Sequence, residues 1–330
     1  MRAIVIREAG GPEVLTLTEL PDLVPPFGHV RVAVRYVGVN RADLLQRMGV
    51  YPAPPGVPPN IPGLEYSGVI DAVGEGVTRF RVGDRVLGLV GGGAYAEQIV
   101  AHEGEVARLP DAIDDRTAAG VPEAFVTAYD AIVTRGRLAP GDAVLIHAAG
   151  SGVGTAAIQI AKSLGCKVIA TSRTADKLAR CKELGADVTL VVEKATFADA
   201  VLDATNGRGA DVILDLAGGA YVGEDVRAVA VLGRVLVVGL TAGARSEIPL
   251  GALLARRATI TGTVLRSRPL AEKIQAAEVL ERNVVPLVAA GRMAPVIDRE
   301  WPLDRAGEAH AYVASNASFG KVLLAVAPAT

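Results

Sequence analysis

Between Asp142 and Leu265 six short apolar runs alternate with segments of helical spacing, and few folds accommodate that rhythm. The runs are DAVLIHAA, KVIATS, VTLVV, DVILDLA, GRVLVVG and ATITGTVL; pieces such as GTAAIQIAKSLG and TADKLARCKELGA separate them. Parallel strands need a crossover long enough to hold a helix, so strand, helix and strand in repetition predict a doubly wound parallel sheet. The N-terminal third has another texture. AIVI, LTLTEL, HVRVAVRYVGVN, SGVIDAVG, GDRVLGLV and YAEQIVA are short, β-branched and closed by Gly or Pro, which predicts a folded-up β domain. Between them YPAPPGVPPNIPG holds six of the 19 prolines and reads as a surface loop beside a cleft. After a helix over 271–290, the tail returns to short strands, one helix in DRAGEAHAYVAS and a closing FGKVLLAVA. A chain of 330 residues exceeds what one core usually supports. The expected fold class is therefore α/β in two domains: a β domain from 1–122 and 292–330, and a Rossmann-type domain over 123–291.

Half of the residues are hydrophobic, ample for buried sheets, and the net charge of -2 gives no general attraction to nucleic acid or anionic membrane. Residues 143–161 contain no Asp, Glu, Lys or Arg, yet glycines interrupt the stretch, and a buried strand, tight turn and buried helix give the same hydropathy as a membrane span. The opening MRAIVIREAGG lacks the apolar core of a signal peptide, and Cys166 and Cys181 are the sole cysteines. A reduced, cytoplasmic protein is expected.

The first strand of the series runs into HAAGSGVG, which places Gly150, Gly152 and Gly154 at a strand-to-helix turn. Main-chain N–H groups at a helix start converge on a pyrophosphate, and glycine lets the backbone come close. The spacing departs from G-x-G-x-x-G, with Thr155 where the third glycine is expected, so a purely structural tight turn is the alternative. An acid at the end of the next strand would grip the ribose hydroxyls of NAD. That segment reads VIATSRTADK and offers Ser172, Arg173 and Lys177 instead, which favours the extra phosphate of NADPH over an ordinary basic helix start. His29, His102, His147 and His310 are scattered and neither cysteine has a partner at ligand spacing, so no metal is expected. Ser151 lacks the G-x-S-x-G frame of a hydrolase nucleophile.

GLEYSG, GDRVLG, HAAGSGVGTAAIQIAK and FGKVLL follow one another in an order that resembles the zinc-free quinone oxidoreductases of the medium-chain dehydrogenase/reductase superfamily. NRADLLQRMGVYPAPPG, VPEAFVTAYD, LLARRATITGT and LRSR make the chain look most similar to the tumour-suppressor-induced subgroup of vertebrates and its bacterial relatives. The resemblance implies a GroES-like β domain and an NADPH-dependent quinone reductase. Its zinc-dependent cousins carry Cys near Asn40 and Gly-His-Glu where this chain has Gly63, Leu64 and Glu65, so two ligand positions are lost. It further implies a substrate pocket between the domains, with Asn40, Asp43, Tyr51 and Thr127 as catalytic positions. Asn40 and Thr127 would also meet the cofactor, together with Ser151, Gly152, Val153, Ser172, Arg173, Lys177, Gly239, Leu240, Val264, Leu265, Asn316 and Lys321. Read by themselves, Asn40 and Asp43 look like a helix start and Tyr51 like the close of the proline loop. Val191 and Val192 stand where relatives carry Asn-Tyr, which leaves any NADPH preference to Ser172, Arg173 and Lys177.

A quinone is already electrophilic, so the protein need only hold it against the nicotinamide and exclude water; solvent or the Tyr51 hydroxyl can supply the proton. The same apparatus would serve enals, enones or enoyl thioesters, and fold alone does not choose. A non-enzymatic nucleotide- or RNA-binding role is the rival from another class, disfavoured by the charge. The apolar edge of ATITGT would pair in a homodimer.

Overall fold

The computed structural model describes residues 1–326. They form two compact units, Met1–Val126 joined by the residues from Leu265 onward, and Thr127–Val264. This division puts residues 123–126 and 265–291 within the first unit, outside the bounds of the β domain given above.

In the first unit the eleven-residue strand His29–Val39 is the spine. Its valines at 30, 32 and 34 alternate inward, and it pairs antiparallel with Glu65–Val73, Gln98–His102 and Lys321–Ala325. Ile297–Pro302 lies beyond Lys321–Ala325; Arg85–Leu89 and Val106–Arg108 follow Glu65–Val73 on the other side. Tyr66, Ile70, Val86 and Ile99 fill the core beside those valines. Arg2–Ile6 and Leu15–Glu19 make a separate antiparallel pair. The proline-rich residues 51–62 contain neither helix nor strand. The helix expected over 271–290 begins at Leu270, widens into a π-helical stretch at Leu280–Val284 and resumes over Val285–Ala289. Pro286 lacks the N–H that an undisturbed helix would use there.

The second unit is one sheet of six parallel strands, and all six apolar runs supply one each. The order across it is Val188–Val191, Lys167–Ser172, Ala143–Ile146, Ala210–Asp215, Val229–Val237 and Thr259–Gly262. Val144 to Ile146, Val168 to Ala170 and Val212 to Leu214 are wholly buried, as expected of strands covered on both faces. The first strand in the chain is central: the next two build outward on one side and the last three on the other. This arrangement opens a crevice beyond the carboxyl ends of the middle strands, where ligands of such sheets bind.

Candidate functional site

In the second unit HAAGSGVG leaves the sheet at that crevice. Ala148 takes a left-handed φ of 47°, and the main-chain N–H of Ala149 donates to Thr171 O at 2.9 Å, which ties the turn to the neighbouring strand. Ser151 caps the twelve-residue helix Gly152–Ser163, its Oγ accepting from Gly154 N at 3.0 Å. A Cβ on Gly154 would stand 2.6 Å from Ala149 Cα and O, so this position admits glycine alone without moving the backbone. Underneath, His147 donates or accepts through Nδ1 with Thr171 Oγ1 and through Nε2 with Asp225 Oδ1, both at 2.8 Å. His147 and Asp225 are fully buried, and burial pushes the Asp225 carboxyl up to about 6. Phe197 and Tyr221 enclose the imidazole with ring centroids at 4.5 and 4.9 Å. This polar knot fixes the floor of the turn.

The positions expected around a dinucleotide sort along that crevice by topology. Ser151, Gly152 and Val153 follow the first strand; Ser172 and Arg173 end the second; Gly239 and Leu240 follow Val229–Val237; Val264 follows Thr259–Gly262. Arg173 is exposed, and Lys177 lies a turn into the helix Ala175–Glu183. Thr127 is buried within the helix Pro122–Tyr129.

The first unit assembles a different constellation. Asp43 is completely buried. Its carboxylate accepts from Asn40 N at 2.8 Å, Gly63 N at 3.1 Å and Tyr95 Oη at 3.1 Å, so it pins the helix Arg41–Arg47 to the Gly63 turn. Gly63 itself has φ +104°, and a Cβ there would lie 2.5 Å from the Tyr95 ring. Burial lifts the Asp43 carboxyl to about 6 against those donors and Lys321. Behind Tyr95, His310 is held neutral, pushed down to about 3 by burial and by Arg47.

Asn40 caps its helix with backbone only, because its side chain turns to a buried ion pair. Lys321 Nζ donates to Glu65 Oε1 at 2.5 Å, to Asn40 Oδ1 at 2.7 Å and to Val39 O at 3.3 Å. Asn40 Nδ2 donates to Glu65 Oε1 at 2.8 Å and to Gly38 O at 3.3 Å. Glu65 Oε2 receives the main-chain N–H of Glu123 at 2.8 Å. Of the expected site residues, Asp43 is fully buried, both amide hydrogens of Asn40 are engaged within the protein, and the Lys321 ammonium, expected at the cofactor, faces Glu65. Asn316, the other tail candidate, is exposed with φ +58° and accepts from Arg41 Nη2 at 2.6 Å.

Tyr51 is half-buried under Arg266, whose guanidinium lies 5.0 Å from the ring centroid and donates to Tyr51 O at 3.1 Å and Gly91 O at 2.7 Å. Leu265 borders a small cavity with Arg266, Glu123 and Val90. Sequence reasoning missed Glu65, Tyr95, Glu123 and the His147–Asp225 pair as site-building groups. An acid inside GLEYSG, between apolar neighbours, was the one available signal.

Residues 27–111 match the alcohol dehydrogenase GroES-like domain family, and residues 152–282 match the zinc-binding dehydrogenase family. The quinone oxidoreductase of Rattus norvegicus is 33% identical over 98% of this chain and 97% of its own length. The chain belongs to the medium-chain dehydrogenase/reductase superfamily. Like that relative, this member of the superfamily is an oxidoreductase. Among solved structures, an NAD-dependent alcohol dehydrogenase superposes with a TM-score of 0.86 at 34% identity, covering 99% of this chain and 100% of that one. The Escherichia coli quinone oxidoreductase complexed with NADPH gives 0.87 at 28% identity over 99% and 100%. The zinc of the family's description does not fit the residues here. Glu65 is paired with an ammonium, and among the described residues no three His, Cys, Asp or Glu side chains gather as a ligand set. No helix among the described residues is long and apolar enough to cross a membrane.

Proposed function

We propose that this oxidoreductase reduces quinones with NADPH and without zinc. The full-length likeness to quinone oxidoreductases carries the reading. Two local features support it: an acid-free strand end at Ser172 and Arg173, and the ion pair of Glu65 with the buried Lys321 ammonium, which leaves that carboxylate without a free oxygen for a metal. When bound, the nicotinamide supplies a hydride. Gly152 and Gly154 allow the pyrophosphate to approach main-chain N–H groups, Ser151 holds that helix start in shape, and Arg173 with Lys177 favours an added phosphate. In the first unit Asp43, Glu65 and Lys321 keep the Asn40 loop and the Gly63 turn rigid, so that the substrate wall does not shift during the reaction.

The decisive assay follows NADPH oxidation with ortho- and para-quinones, enals and a crotonyl thioester as acceptors, in excess chelator and with NADH as a parallel donor. Chelator-resistant reduction of quinones, faster with NADPH, is the expected result. Loss of activity on chelation would refute the metal-free reading, equal rates with NADH the cofactor choice, and turnover of enones alone the substrate class.

We further propose a homodimer through the open edge of Thr259–Gly262. Among the described residues this strand has a neighbour on one side only, and the adjoining Leu250 and Leu254 are 65% and 76% exposed. Sedimentation at the mass of two chains is expected; a single-chain mass across the micromolar range would remove the proposal.

A further inference from the structure

Glu123 is the one acid of the first unit's polar cluster whose carboxyl has nothing to do within the fold. It stands at the second position of the helix Pro122–Tyr129, and its main-chain N–H is given to Glu65. Among the described residues no hydrogen bond or ion pair engages its carboxyl oxygens, although the side chain is half-buried. It borders a cavity of about 10 Å³, room for roughly one water, whose walls include Leu89, Val90 and Arg266.

The surrounding charges explain what such a group can do. Glu65 has both oxygens occupied by donors and cannot share a proton with its neighbour. Asp43 adds a second acidic group nearby. The cations that line the cavity are already matched: Arg268 by Glu272 at 3.7 Å, Lys273 by Glu105 at 3.7 Å, and Arg266 by carbonyl oxygens and the Tyr51 ring; Lys321, whose charge also reaches Glu123, is matched by Glu65. A carboxyl beside an ionised partner, partly shielded from water and without a cation of its own, keeps its proton. Burial first, and then Glu65, pushes Glu123 up to about 8, with Lys321 and Arg266 pulling the other way. The Tyr51 hydroxyl is pushed higher than its ordinary value by burial, which makes it the poorer acid of the two.

We infer that Glu123 is the proton donor of the reaction, reloaded from the water-sized cavity it borders. This rests on the quinone-reducing reading. The hydride brings the quinone one hydrogen and two electrons. The O–H bond of the Glu123 carboxyl breaks, its proton forms the O–H bond at the reduced quinone oxygen, and the carboxylate is reprotonated by one H⁺ from bulk solvent, relayed through the cavity water, which is left as water. Hydroquinone and the starting carboxylic acid result, and no side chain changes oxidation state.

Two measurements test the assignment. In the first, kcat for a quinone is followed from neutral to alkaline pH. An acid must be protonated to donate, so wild-type kcat should fall as pH rises through about 8. Glu123→Gln should lose roughly tenfold at neutral pH and lose the bend, whereas Glu123→Asp should restore it. In the second, infrared difference spectra of the cofactor-free protein between neutral and alkaline pH should show a protonated-carboxyl C=O band in wild type that Glu123→Gln lacks. The same bend in Glu123→Gln as in wild type, or no such band in wild type, would overturn the inference. A wild-type protein that shows the band but reduces no quinone would instead sink the substrate reading, and the proton's destination with it.

Discussion

Replacing Lys321 by Met is expected to lower stability by about 3–5 kcal/mol. Glu65 is fully inaccessible and Lys321 nearly so, and all three ammonium hydrogens have acceptors. Removing the lysine leaves a buried carboxylate held by two N–H donors, from Asn40 and Glu123, with no compensating charge. The penalty belongs to the orphaned anion rather than to the pair, so adding Glu65→Gln to Lys321→Met should recover a large part of it. Denaturant midpoints of the wild type, the two single variants and the double variant measure this directly. A single variant within about 1 kcal/mol of wild type, or strictly additive changes, would show that water reaches Glu65 and that the pair is no more than a surface bridge.

The second large effect concerns the glycine turn. Gly154→Ala should weaken NADPH binding at least tenfold, about 1.4 kcal/mol. The added Cβ meets Ala149 Cα, C and O at 2.6 to 2.7 Å, and these are backbone atoms that yield only if the whole turn moves. The Ser151 cap on Gly154 N would move with them. Strain of roughly 1–3 kcal/mol should appear as well, confined to unfolding of the second unit. Calorimetric titration with NADPH separates the two effects. Unchanged affinity in Gly154→Ala would mean that the turn is structural and that the dinucleotide lies elsewhere.

The parallel sheet was legible because buried parallel strands are continuous apolar runs, and none of the six needed tertiary information to be found. The glycine turn was legible for the same reason: a close approach of backbone to backbone leaves glycine in the sequence. Burial of polar groups leaves no such trace. Asn40 and Asp43 carry the letters of a helix start and stand at one, but nothing local announces that the Asn40 amide bends away to Glu65. Lys321 sits in FGKVLL as a lysine in a strand; its partner is 256 residues away, and only the antiparallel pairing of Lys321–Ala325 with His29–Val39 brings the two together. Glu123 gave no signal beyond a resemblance, because its significance lies in the absence of a partner.

The first unit is built from the two ends of the described chain with the whole of Thr127–Val264 inserted between. During synthesis the Tyr36–Val39 end of the spine strand therefore stands on the ribosome with one edge bare, and Glu65 without its ammonium, until residues 321–325 emerge. The inserted unit has every strand it needs well before that moment. Order of manufacture thus separates the halves in time: the parallel sheet can close early, while the antiparallel one waits for its last strand and for the ammonium that neutralises its interior. A chain shortened by a dozen residues would keep the complete inserted sheet and lose the other half's keystone.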